Sequence, residues 1–236
     1  MWVQTGFIHN ESKFMKIGIV VTTHYSENLR PNGNELIQNY CQSAQCINYP
    51  FTVYVYDNAS TKKLNGINHP YVKVIRVEDQ TLRGLSGTWN DGIQLAIKDN
   101  CDLIIISNDD IILNNSVNTF IKNIYNHEHN NISMYGPVSN GILCGIQLQP
   151  KPVNNIIELT GNLHSNMLNG FFFGFMKNFY YNFRMSNGNL IDEVNFPWGG
   201  NEEELQPRIW KQGGRSFVIG HCHLFHHKIR GWKQHM

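Results

Sequence analysis

The chain has 236 residues, 41% of them hydrophobic and 16% charged, with a formal net charge of +1. This is an ordinary globular composition, and it excludes a disordered chain, a protein drawn to nucleic acid by excess charge, and any apolar run near the ~20 residues of a membrane helix. The length suffices for one substantial core or two small ones.

Residues 16–22 (KIGIVVT) predict a buried strand, and 34–47 a helix with Leu36, Ile37, Tyr40, Ala44 and Ile47 at helical spacing. A second strand is expected at 51–57 (FTVYVYD), stopped by the Asp57-Asn58 turn signal, and a third at 71–77 (YVKVIRV). Residues 86–99 predict a helix with Trp89, Ile93, Ala96 and Ile97 on one face and Ser86 as N-cap. A strand buried on both faces follows at 102–107, then a helix at 116–127 through Val117, Phe120, Ile121 and Ile124. Strands alternating with helices predict an α/β fold whose mostly parallel sheet carries helices on both faces. From about 136 to 170 the chain is dense in Gly, Pro and Asn, and no element is predicted there. A strand at 169–176, a short helix at 201–212 and a last strand at 215–220 complete the series. Neither repeat nor linker divides it. A single domain, 1–236, is expected, with a regular half at 15–135 and an irregular extension at 136–236.

The five cysteines, Cys41, Cys46, Cys101, Cys144 and Cys222, are odd in number and form no CxxC pair. That points away from a disulfide framework or zinc knuckle and toward a reducing compartment. The first residues, MWVQTGFIHNESKF, lack the charged-then-apolar order of a signal peptide. A cytoplasmic protein with no nucleic-acid partner and no integral membrane segment is therefore expected, its oligomeric state open.

In open parallel sheets, ligands bind beyond the carboxyl ends of the strands. Three predicted strands end in polar groups suited to that edge: Thr22-Thr23-His24, Asp57-Asn58 and Asn108-Asp109-Asp110. Asp57 either accepts a hydrogen bond from a base N–H or starts an Asx-turn. Asp109 and Asp110 repel each other, and burying either without a partner is costly. A divalent Mg²⁺ or Mn²⁺ resolves that conflict; otherwise one aspartate caps the next helix and the other is solvated. Glutamates opening the helix in FPWGGNEEELQPRIWKQGG, 196–214, are explained by capping and the helix dipole alone, which leaves Trp198-Gly199-Gly200 unexplained. Four histidines, His221, His223, His226 and His227, follow the last predicted strand. Alternating histidines on a strand share a face and suit a metal, without settling which one binds.

From Lys16 onward these features together resemble the GT-A glycosyltransferases, nucleotide-sugar enzymes built on a Rossmann-like sheet. IVVTTH, VYDNAS, GTWNDGIQLA and IISNDDIIL follow the order of inverting glycosyltransferase family 2. There the second motif contacts the base, the third supports the donor pocket and the fourth is the DxD-like metal motif. The resemblance implies Asp110 as a metal ligand, with Asn108 in place of the usual first Asp. It also implies Thr22, Thr23, His24, Asp57, Asn58, Arg83, Asn108 and Asp109 around the donor, with Lys228 or Arg230 on its phosphates.

Trp198-Gly199-Gly200-Asn201-Glu202-Glu203-Glu204 is similar to the Trp-Gly-Gly-Glu-Asp-Asp-Asp run of the β-1,4-galactosyltransferase branch. That likeness implies Glu202 as catalytic base, with Glu203 one position away, and Trp198, Gly199 and Gly200 beside the bound sugar nucleotide. Asn201 stands where the branch has an acid that holds the acceptor. Ile219 to His227 resembles the run that supplies a metal-binding histidine and nominates His227, with His223 or His226 as substitutes. Gly170 and Gly174 either let backbone approach the sugar or break an aromatic core strand.

The implied protein is a metal-dependent inverting transferase using Mn²⁺ or Mg²⁺. It would move a sugar from a nucleoside-diphosphate donor, by resemblance UDP-linked, to a glycan hydroxyl. Three alternatives stand beside it. A nucleotidyltransferase would carry a Gly-rich phosphate loop that TTHYSENLR lacks. A non-catalytic nucleotide- or carbohydrate-binding module would keep the fold without the chemistry. A zinc hydrolase would need three ligands from the tail and nearby acids.

Overall fold

Residues 15–76, 83–142, 144–160 and 166–227 are described by the structure, a computed structural model. Strand β1 (Ile17–Thr23) is buried at every position and lies parallel between β2 (Phe51–Asp57) and β4 (Leu103–Asn108). Near-continuous apolar runs are what strands covered on both faces require. β3 (Val72–Arg76) pairs outside β2 and forms an edge. The sheet is completed by β5 (Ile111–Ile112), β6 (Ser133–Ser139), β7 (Ile156–Glu158), β8 (Phe172–Met176) and β9 (Arg215–His226), in the order β3-β2-β1-β4-β8-β6-β9-β5 with β7 on β9. β1, β2, β3, β4, β6 and β9 run one way; β5, β7 and β8 run the other.

The helices are α1 (Gly33–Ser43), α2 (Leu85–Lys98), α3 (Ser116–Asn126), α4 (Lys177–Phe183) and α5 (Asn201–Trp210). Alternation along β1 sends Ile17, Ile19 and Val21 to one face, where Ile37 and Tyr40 of α1 and Phe120 and Ile121 of α3 pack. Val20 points to the other face, in a cluster that also holds Trp89 and Ile93 of α2, Phe179 of α4 and Leu205 of α5. The sheet therefore has a core on each side. Among the described residues no helix is long and apolar enough to cross a membrane.

The regular half matches expectation closely, with α1 ending at Ser43 and a single 3₁₀ turn, Ala44–Cys46, replacing its last predicted turn. The end of the predicted third strand, Val77, lies outside the described residues, as do Lys228 and Arg230. The second half departs more. β7 and the second half of β6 lie in the stretch where no element was expected, and α4 follows β8 directly. β6 carries Gly136 and Pro137, residues that argue against a central strand. Pro137 sits where the ladder breaks: it pairs with Ile219, and pairing resumes at Val138 with His223, so Gly220, His221 and Cys222 bulge from β9. β9 then continues to His226, six residues past the expected end at 220.

The reversal of β8 positions the site. Because β8 is antiparallel to β4, its entry lies at the same sheet edge as the exit of β4: Ser107 faces Phe172, and the Asn108 N–H donates to the Phe171 carbonyl at 2.8 Å.

Candidate active site

The exit of β4 carries Asn108 and the turn Asp109-Asp110, and both aspartates are almost fully buried. Asp109 accepts a 2.7 Å hydrogen bond from Thr23 Oγ1 and a salt bridge from Arg30, which is 5% exposed. Burial pushes the Asp109 carboxyl up to about 6, opposed by the Arg30 charge. Arg30 comes from the loop after β1, whose sequence contains no feature that singles it out. It solves half of the problem posed by two adjacent acids. Replacing Arg30 with Met is expected to cost about 3–5 kcal/mol, because a buried carboxylate loses its counter-charge. Urea denaturation should show that loss, and Arg30→Met with Asp109→Leu should recover much of it.

Asp110 meets the tail. Its Oδ1 lies 3.3 Å from Nε2 of His226, the last residue of β9, and its backbone carbonyl accepts the His227 N–H at 3.0 Å. His226 Nδ1 is 3.0 Å from the Gly141 carbonyl, an acceptor only, so Nδ1 carries the proton. In the neutral ring Nε2 is then a lone pair aimed at a carboxylate, and a proton or a cation must lie between them. An ion with ligands at about 2.1 Å sets adjacent donors roughly 3 Å apart, so the pair fits a divalent cation. A second N–H held by a backbone carbonyl is also the usual setting of a metal-binding histidine.

The other histidines are placed differently. His223 is on the opposite face of β9 from His226, with Nε2 3.0 Å from the Gln149 carbonyl. The exposed His227 ring stands edge-on to Phe225 at 4.9 Å. Among the described residues no group of three or more His, Cys, Asp or Glu is arranged to hold a metal. The zinc-hydrolase reading requires three. Two protein ligands suit an ion whose remaining positions are filled by substrate phosphates and water.

Along the carboxyl edge of β1 and β2, the predicted residues are knitted together. Thr22 Oγ1 is 2.7 Å from Thr88 Oγ1 at the start of α2. His24 Nδ1 donates to the Asn58 carbonyl, leaving Nε2 to accept from Ser26 Oγ, both at 2.8 Å. Asp57 accepts the N–H of Ser60, three residues on, at 3.3 Å, a local turn contact one residue longer than an Asx-turn, and also faces Arg76 at 3.5 Å. Asn58 clamps the backbone of Arg83 at both its N–H and carbonyl. The Arg83 guanidinium is held by Asp91 and, at 3.2 Å, by Glu193. Asn58 thus supports Arg83, and Arg83 bridges the two halves of the chain.

At the start of α5, Gly200 adopts φ +71°, a left-handed conformation that lets the chain turn from Trp198-Gly199 into the helix. The buried Asn201 accepts the Glu202 N–H at 3.0 Å and reaches Ser86 Oγ at 3.3 Å. The Ser86 N–H donates to the Pro197 carbonyl, so this loop is docked on the start of α2. Glu202 Oε1 accepts the Gly170 N–H at 3.1 Å. Glu204, by contrast, pairs with Arg208 one turn along α5 at 2.5 Å. Of the two glycines, Gly174 fits the core reading, since a Cβ there would press on Ile105, Phe120 and Ile124. A Cβ on Gly170 would lie 3.0 Å from the Glu202 carboxyl.

Phe171, which sequence reasoning passed over, completes the arrangement. Its carbonyl holds Asn108 and its ring stacks on His226 at 5.4 Å and 18°. Gly170 and Phe171 therefore tie Glu202, the acidic turn and His226 through consecutive residues.

No protein-family model matches the sequence, and no curated protein matches it. Solved structures do. GalNAc-T7 with UDP, GalNAc and Mn²⁺ is 14% identical over 94% of this chain and 46% of its own, with a TM-score of 0.63. TarS 1-349 from S. aureus, in complex with UDP-GlcNAc, is 16% identical over 92% of this chain and 60% of its own, with a TM-score of 0.61. A longer S. aureus TarS structure gives 17%, 90%, 36% and 0.63. These likenesses show the fold, which is that of the GT-A glycosyltransferases. The chain spans between 36% and 60% of the TarS chains and 46% of GalNAc-T7.

Proposed function

We propose that this chain is a metal-dependent inverting glycosyltransferase, a single catalytic domain that moves a sugar from a nucleoside-diphosphate donor to a glycan hydroxyl. The observation that carries the reading is the Asp110–His226 pair joined to Glu202 through Gly170 and Phe171. The presence of UDP or UDP-GlcNAc in structures of the same fold supports a UDP-linked donor.

Residues 15–135 would supply most of the donor side and 136–236 the acceptor side. Asp57, at the end of β2, would accept from a base, and Arg83, which links the two halves through Asp91 and Glu193, would meet the nucleotide. Asp110 and His226 would hold Mn²⁺ in preference to Mg²⁺, because imidazole is softer than the ligands Mg²⁺ prefers. When bound, the ion would neutralise charge gathering on the departing diphosphate. Glu202, its carboxylate oriented by the Gly170 N–H, takes the acceptor proton while the acceptor oxygen bonds to the anomeric carbon. The bond from that carbon to the diphosphate breaks on the opposite face, so a single displacement inverts the centre.

Incubation with a panel of nucleotide sugars, Mn²⁺ and glycan acceptors, with mass detection of nucleotide and product, tests this directly. The expected result is UDP release coupled to a product one sugar heavier. Absence of turnover with every donor, or nucleotidyl transfer in place of sugar transfer, would overturn it.

A further inference from the structure

His226 reaches Asp110 by an unusual route. The main-chain ladder between β6 and β9 ends at Ser139 opposite Leu224, two residues short of His226. Beyond that point the side chain of Asn140 takes over. Its Oδ1 accepts the His226 N–H at 2.8 Å, and its Nδ2 donates to the His226 carbonyl at 3.3 Å. Ser139 Oγ also donates to Asn140 Oδ1 at 3.2 Å, so two donors converge on that oxygen and fix which end of the amide faces which group. With Asn140 supplying the strand-like contact, the next backbone carbonyl, Gly141, is turned to the imidazole and takes its Nδ1 proton. The Phe171 ring closes the remaining side.

We infer that Asn140 is a positioning residue for the metal centre, an inference that rests on the Asp110–His226 reading above. It fixes the backbone of His226 where β9 has no further partner in β6, and thereby the tautomer and aim of Nε2. Without the amide, His226 is still paired with Ile111 of β5 and the His227 N–H still reaches the Asp110 carbonyl, but the β6 side of its backbone is no longer fixed and the imidazole loses its set aim at the carboxylate. The two halves of a cation site would then have to be brought together at the moment of binding. Loss of such outer contacts typically weakens metal binding by about 10- to 100-fold.

The test is a Mn²⁺ titration of the full chain with UDP present, reading free Mn²⁺ by electron paramagnetic resonance. Asn140→Ala should bind Mn²⁺ at least about 10-fold more weakly than wild type. Its nucleotide release should recover as Mn²⁺ is raised, since both ligating side chains remain. Asn118→Ala is the matched control. Asn118 makes the same two-point amide clamp, on Asn48 N–H and the Cys46 carbonyl, away from the site. It should lose stability without losing Mn²⁺. If Asn140→Ala does not fold, Asn140→Ser, whose hydroxyl cannot span both backbone groups, is titrated in its place with the same expectation. Wild-type affinity in the Asn140 variant, alongside weakened binding in His226→Ala, would overturn this inference and leave the proposed function standing. Wild-type affinity in His226→Ala itself would remove the metal reading and this inference with it.

Discussion

Replacing Asp110 with alanine is expected to lower sugar transfer by about 10²–10³-fold, the scale on which removal of a group stabilising developing charge is felt. The residue is buried beside His226, and the neighbouring acid is already neutralised by Arg30 and Thr23. In the proposed mechanism Asp110 is the carboxylate that would hold the cation with His226. Because the Arg30–Asp109 pair is untouched, the variant should keep its fold, and thermal melting should separate a lost site from a lost structure. Single-turnover nucleotide release across a Mn²⁺ series measures the effect. Release by Asp110→Ala at the wild-type rate would remove Asp110 from the mechanism.

Glu202→Gln is expected to reduce turnover by about 10²–10⁴-fold while donor binding is unchanged. Glutamine keeps the shape and still offers an oxygen to the Gly170 N–H, so the contact at 3.1 Å survives and only the capacity to take a proton is lost. The comparison with Glu203→Gln decides the position. Should the Glu203 variant be the inactive one, the base is Glu203 and not Glu202. Gly170→Ala provides an independent check. Its Cβ would stand 3.0 Å from the Glu202 carboxyl, which must move, so kcat should fall with little change in melting temperature.

Much of the donor half was legible because its signals are local. The apolar runs of β1 and β4 and the helical spacing in α2 and α3 each report burial within one window. The acidic turn was legible for the same reason, since two adjacent carboxylates after a buried strand pose a visible electrostatic problem. Its solution was not local. Arg30 reaches Asp109 across 79 positions, and nothing in TTHYSENLR distinguishes a cation that enters the core from one that stays in water. β6 was missed because Gly136 and Pro137 usually interrupt strands, and here the proline coincides with the break in pairing. The resemblance nominated His227, whereas His226 is the imidazole beside Asp110, because spacing along a sequence does not reveal which way a strand turns its side chains.

The bulge at Gly220–Cys222 decides that orientation. Before it, odd-numbered Phe217 and Ile219 join the core under α1 and α3; from its last residue on, even-numbered Cys222 and Leu224 do so, and His226 shares their parity. An extra count of three residues has exchanged the two sides of the strand. A one-residue slip of the pairing beyond the bulge would turn Phe225 and His227 toward Asp110 and carry His226 away. Which imidazole stands beside Asp110 is thus a matter of phase, set by the three residues absorbed before pairing with β6 resumes at His223.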